Sequence, residues 1–214
     1  KMFFPYRDDN PRVIVPFITY LLLFINCSVF ILQTLGPEEF TKVFAIIPKM
    51  SSLDFSHFIL SLFTSMFLHG SLAHLIGNML YLWIFADNVE GILGHGKFAV
   101  FYLSAGLSAG IIQSLVDLTS TIPIVGASGA IAGVLAAYMI LFPFAKVHTL
   151  VFIFFYFTTI RIPALFLLGF WFLMQITNGL SLIGVDTTGG VAWFAHIGGF
   201  IAGLILILTL KKTG

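Results

Sequence analysis

The 214-residue chain is 59% hydrophobic and only 9% charged, with 25 Phe and a mean hydropathy of +1.06; a soluble domain carries about 25% charged residues, so a water-facing globular surface is excluded and the solvent must be largely lipid. A net charge of +1, with no basic cluster larger than Lys211-Lys212, argues against a nucleic-acid partner. The single cysteine, Cys27, excludes an intrachain disulfide and, inside an apolar run, reads as a small buried hydrophobe.

Six stretches, residues 13–34, 71–89, 97–116, 126–142, 162–180 and 191–210, are long enough to cross a hydrocarbon core of about 30 Å. The first is followed by others of similar length and reads as a membrane anchor, not a signal peptide. Residues 36–70, with "GPEEF" and "PKMSSLDFSHF", form a long mixed loop, apolar enough to lie partly in the membrane interface. The fourth stretch is short and Gly/Ala-rich, which predicts a place inside the bundle. Residues 143–161 offer only 14 uninterrupted residues between Lys146 and Arg161, which favours an interfacial segment over a seventh span. The expected fold is an all-α membrane protein, a single domain over residues 1–214. With six spans, eight of the ten Lys/Arg fall on the side of the termini and of the loops near 90–97 and 143–161. The positive-inside rule then puts both termini in the cytoplasm of a multi-pass cell-membrane protein. No internal repeat marks a transporter.

Polar residues deep in spans are expensive and therefore functional suspects. In "HGSLAHLIGN", His74 and Asn78 lie at i, i+4 on one helix face, while His69 is about 140° away around a helix. That spacing, with no carboxylate beside His74, is poor for a metal, and the plain alternative is a buried His and Asn bonded to neighbouring helices. In the last stretch His196, Gly199 and Gly203 share one face, and the two glycines form a G-x-x-x-G pair that admits another backbone. The stretch "VGASGAIAG" supplies the matching small residues around one serine, Ser128. A serine at the start of one such helix and a histidine at the start of the other suit general-base activation. His74, Asn78 and the Ser128 amide could supply oxyanion donors. No carboxylate accompanies them, so a Ser-His dyad is expected rather than a triad.

"HGSLAHLIGN" (69–78), "GASG" (126–129) and "AHIGGFIAG" (195–203), in order, resemble the signature set of the rhomboid family of intramembrane serine proteases, over essentially the whole chain. The resemblance implies a six-helix bundle with a long first extracytoplasmic loop, Ser128 as nucleophile, His196 as general base, and His74, Asn78 and the Ser128 amide as oxyanion donors. It implies a structural role for His69, with Gly126, Gly129, Gly199 and Gly203 as packing support. Glu90 is implied to tie helices together. It implies cleavage of transmembrane segments of membrane-protein substrates, an active site opening to the extracytoplasmic side, and no metal or organic cofactor.

Two positions depart from the family pattern: Leu60-Ser61 replaces a Trp-Arg pair, and Ala132 replaces an aromatic that stacks on the base. Trp193 is the sequence-based guess for what orients His196 instead. The bulky fifth stretch reads as a lipid-side gate and "SLIGVDTTGG" (181–190) as a flexible cap. The rival reading is a catalytically inactive rhomboid-like protein that binds membrane clients.

Overall fold

The computed structural model describes residues 3–37, 39–51, 54–153, 156–183 and 190–211. Strand β1 (Phe3–Asp8) precedes helix α1 (Phe17–Leu35). Three short helices, α2 (Glu39–Phe44), α3 (Pro48–Ser51) and α4 (Phe55–Thr64), and a 3-10 turn (Ser65–Phe67) follow. Then come α5 (Leu72–Leu93), α6 (His95–Val116) and α7 (Ser128–Leu141). Strands β2 (Lys146–Ile153) and β3 (Tyr156–Pro163) separate these from α8 (Ala164–Ser181) and α9 (Trp193–Leu210).

A helix coincides with each of the six predicted stretches, but they do not qualify equally as spans. Four, α1, α6, α8 and α9, are long and apolar enough to cross a bilayer alone. Helix α5 passes only together with the segment Phe55–Phe67, from which it is bent by 80°, giving up to five. Helix α7 has 14 residues, about 21 Å at 1.5 Å per residue, short of the hydrocarbon thickness. It is instead enclosed by protein, every residue from Gly129 to Tyr138 being buried.

The all-α expectation needs correction. The segment read as interfacial, 143–161, forms most of an antiparallel hairpin running from Lys146↔Pro163 to Ile153↔Tyr156, and β1 pairs with β2 to complete a three-stranded sheet in the order β1-β2-β3. The run is rich in Val, Ile, Thr and aromatics, which suit a pleated surface. Val147, Thr149 and Val151 alternate as buried positions along β2. Residues 36–70 are likewise no open loop but carry α2–α4; Asp54 caps α4 by accepting from the His57 amide at 2.9 Å. Cys27 is exposed rather than buried, because α1 lies at the periphery and buries only Thr19, Leu22 and Asn26. The 181–190 cap falls mostly outside the described residues.

Helices α6, α7 and α9 form the centre, with α5 packed on α7, α1 on α5, and α8 resting on α9 and α7. Pairing of β1 with β2 and capping of α1 from the end of α5 gather β1, the start of α1, the end of α5 and the end of α7 at one end of the bundle. Arg7, Arg12 and Lys146 lie on the segments at this end.

Two polar clusters hold that end. The first centres on Glu90, fully buried on α5. Its carboxylate accepts from the Ile18 and Thr19 amides at 2.9 and 2.8 Å and from the Thr19 hydroxyl at 2.6 Å, while His95 Nδ1 lies 2.6 Å away. Helix α1 begins after Pro16 with no cap of its own, so Glu90 supplies one from another helix. In the second cluster the Tyr138 hydroxyl donates to Asp8, and Asn10 Nδ2 donates to Tyr138 at 2.8 Å. Arg12 pairs with Asp87 at 2.7 Å and lies over the Trp83 ring at 4.8 Å.

Glu90→Ala orphans the three donors at the start of α1, two of them backbone N–H, and is expected to cost about 3 kcal/mol. Thermal unfolding of the detergent-purified protein measures this, with Cys27→Ser unchanged as control. Burial pushes the Asp8 carboxyl above its ordinary value, against the lowering effect of the Tyr138 hydroxyl. A raised folded-state pKa stabilises below the ordinary carboxylate range and loses that contribution as pH rises through the raised value. The melting temperature of wild type should therefore fall relative to Asp8→Asn as pH rises from about 4 towards neutrality.

Candidate active site

Ser128 is the first residue of α7 and His196 stands in the first turn of α9. Small residues bring the two helices to backbone contact. A Cβ on Gly199 would lie 1.9 Å from the Gly129 carbonyl oxygen, and one on Gly203 would lie 2.5 Å from the Gly133 Cα. The same order of contacts along both helices means that α7 and α9 run parallel, with their N-termini together. On the other side of α7, Cβ atoms on Gly129 and Gly133 would meet Ala109 and Ala105 of α6 at 2.4 and 2.6 Å. At the end where α7 and α9 begin, His196 Nε2 is 2.8 Å from Ser128 Oγ.

The segment leading into Ser128 is pinned by the paired backbone bonds of Ile46 and Ile124, and by the Gly126 amide donating to the Ser65 carbonyl at 2.9 Å. Gly126 has φ +125°, in the region that favours glycine. A Cβ there would meet His74 Nε2 at 2.9 Å and Ser128 Oγ at 3.6 Å, so the imidazole and the hydroxyl face one small space. Ser71 caps α5 by accepting from the His74 amide at 3.1 Å, fixing the helix start that carries His74.

Asn78 Nδ2 lies 2.9 Å from His69 Nε2. An amide nitrogen only donates, so that imidazole nitrogen accepts, and the second amide hydrogen of Asn78 has no partner among the described residues. Gln33 clamps the His69 backbone, donating to its carbonyl at 2.9 Å and accepting from its amide at 3.1 Å. His69 thus links α1 to α5 through Asn78, and its ring meets the His74 ring edge-on at 5.1 Å. Glu90 lies at the far end of α5, in the α1 cap described above, away from the serine.

Three partners of the site were not found by reading the sequence. Gln175 Oε1, on α8, is 2.8 Å from His196 Nδ1. The Trp171 ring, one turn earlier, lies 5.7 Å from the His196 ring at an interplanar angle of 34°. Gln113 of α6 accepts from the Ala195 amide at 2.9 Å, capping the start of α9 beside the histidine. Trp193 is only an edge-on neighbour of His196, at 6.3 Å and 86°. The stretch carrying Trp171 and Gln175 reads as bulky and lipid-facing. The available signal is a glutamine inside a span, i+4 from a tryptophan.

Bundle and site together define a helical membrane protein with a serine and a buried histidine in contact at the meeting of two helix N-termini. The family described as Rhomboid domain matches residues 57–213, and the chain belongs to the rhomboid family. It is 30% identical over 209 residues to "Rhomboid protein 1, mitochondrial" of Saccharomyces cerevisiae, covering 94% of this chain and 54% of that protein. It is 32% identical over 203 residues to "Rhomboid protease GluP" of Bacillus subtilis, covering 93% and 36%. With "Presenilin-associated rhomboid-like protein, mitochondrial" of Mus musculus it shares 34% over 149 residues, covering 65% and 35%. The chain thus spans about half or less of the length of these relatives.

Gly199→Ala places a methyl against the Gly129 backbone, where no side chain can yield. It is expected to destabilise by about 3 kcal/mol and to lengthen the Ser128–His196 contact. Thermal unfolding, together with labelling by a fluorophosphonate serine probe, would show both losses in one variant.

Proposed function

We propose that this chain is an intramembrane serine endopeptidase that cleaves transmembrane segments of membrane-protein substrates through a Ser128–His196 dyad. The observation that carries the reading is the 2.8 Å contact between His196 Nε2 and Ser128 Oγ, made where α7 and α9 begin. His196 takes the hydroxyl proton as Ser128 attacks a peptide carbonyl, forming the tetrahedral intermediate. It then gives that proton to the leaving amine as the acyl-enzyme forms. Water, deprotonated by the same imidazole, hydrolyses the ester and frees Ser128.

Developing negative charge on the carbonyl oxygen is met by His74, by the free amide hydrogen of Asn78 and by the Ser128 backbone N–H at the N-terminus of α7. Gly126, having no Cβ, leaves the space between His74 and Ser128 in which that oxygen would sit. A helical substrate hides its carbonyls in its own hydrogen bonds, so it must unwind locally before attack.

Access from the lipid is by displacement of α8. That helix buries only Ala164, Leu168, Gln175 and Gly179 and rests on α9 and α7. The functional topology is six membrane-crossing helices, α7 being the short, protein-enclosed one. The positive-inside rule puts the sheet end in the cytoplasm and the serine end on the opposite side.

Wild type, Ser128→Ala and His196→Ala are to be labelled side by side with a fluorophosphonate probe in detergent. Labelling of wild type alone is the expected result, and His74→Ala or Asn78→Ala should slow peptide-bond cleavage by about 100–1000-fold. A folded wild type that neither labels nor cleaves a transmembrane substrate would turn the reading to a client-binding rhomboid-like protein.

A further inference from the structure

We propose that Gln175 is a positioning residue for His196: its side-chain carbonyl holds the imidazole in the tautomer able to act as base, and only while α8 is seated against α9. The proposal rests on the Ser128–His196 reading above and adds what sets the base and when.

A chain of obligatory donors and acceptors carries it. Gln175 Nε2 is 2.9 Å from the Trp171 backbone carbonyl, one turn back on α8. A carbonyl oxygen only accepts, so the amide nitrogen of Gln175 faces it and the amide oxygen faces His196. That oxygen, 2.8 Å from Nδ1, also only accepts, so Nδ1 must carry the imidazole proton. In the neutral ring Nε2 is then the lone-pair nitrogen, and at 2.8 Å from Oγ it can only accept from the Ser128 hydroxyl. The orientation is fixed from a backbone oxygen through the Gln175 amide and the His196 ring to the serine, and no carboxylate is needed for it. Gln175 and His196 are both buried, so no exposed solvent competes for these bonds.

The same turn of α8 also supplies the ring that lies over the imidazole. Ala132, where many family members carry a stacking aromatic, has no ring to offer, and Trp171 approaches from a different helix. Orientation of the base has therefore moved from the rigid centre to the peripheral helix. Serine and histidine ride on α7 and α9, which are locked backbone to backbone. Gln175 and Trp171 ride on α8, whose contacts with α9 include the Phe172–Phe200 stack at 4.0 Å. When α8 swings outward to admit a substrate, the Nδ1 acceptor leaves with it and the ring is free to turn or change tautomer. The dyad is set again as α8 returns.

The test combines serine-probe labelling rates with 15N NMR of histidine-labelled protein, the His196 resonances being assigned by comparison with His196→Ala. Gln175→Met keeps the volume but removes the acceptor; Gln175→Glu keeps an acceptor at Nδ1. Expected are a labelling rate about 10–100-fold lower for Met, a rate for Glu within about tenfold of wild type, and melting temperatures close to wild type for both. The 15N spectrum should show Nδ1–H and unprotonated Nε2 in wild type and loss of that pattern in Gln175→Met. Met labelling at the wild-type rate, or Glu labelling no faster than Met, overturns the proposal. If wild type fails to label at all, the base reading has failed, and the 15N pattern alone still decides whether Gln175 sets the tautomer.

Discussion

The contact between Ser128 and His196 depends on two helices touching without side chains between them. The Gly129–Gly199 and Gly133–Gly203 contacts bring α7 and α9 to backbone distance, and only at that distance can a one-carbon serine side chain reach an imidazole on the next helix. Lipid tails are as apolar as leucine, so hydrophobic burial gives little reason for helices to associate in a bilayer. Close packing and hydrogen bonds must hold them, and the small-residue faces of α6, α7 and α9 supply the first. The second is concentrated at the bundle's opposite end, around Glu90 and Asp8. The serine end has ties of its own, Gln33 to the His69 backbone, Gln113 to the Ala195 amide and Gln175 to His196, but among the described residues no charged group takes part in them.

Much of the candidate site's geometry was readable because its determinants are local patterns. G-x-x-x-G spacing with His196 on the same face, and the lone serine in a Gly/Ala run, specify two helices that must meet. The i, i+4 pair His74 and Asn78 specifies a third face. The orienting partners were not readable in this way. Gln175 reaches His196 across 21 residues of sequence and from a helix whose composition reads as lipid-facing. Only the packing of α8 on α9 brings them together.

The sheet shows a different kind of failure. Alternation of Val147, Thr149 and Val151 is a strand signal. The residues between them, His148 and Leu150, and the Phe-rich sequence that follows blur it into a continuous apolar run. Length then favours a membrane-surface segment over a strand. The partner strand β1 lies some 140 residues earlier, beyond any local window. Cys27 was misplaced for a simpler reason: in a bilayer, apolar surroundings do not mean burial in protein, and an apolar residue is at home on the outside of α1.

The cap that Glu90 places on α1 also bears on how the chain is made. Helix α1 is synthesised before α5, and the amides of Ile18 and Thr19 acquire their acceptor only when residue 90 has followed. Until then those N–H groups must be satisfied by water or lipid headgroups, which keeps the start of α1 at the membrane surface. The later segment replaces those partners with its own carboxylate. Synthesis therefore runs from α1 towards α5, while the fastening of α1 runs backward from the second half of α5.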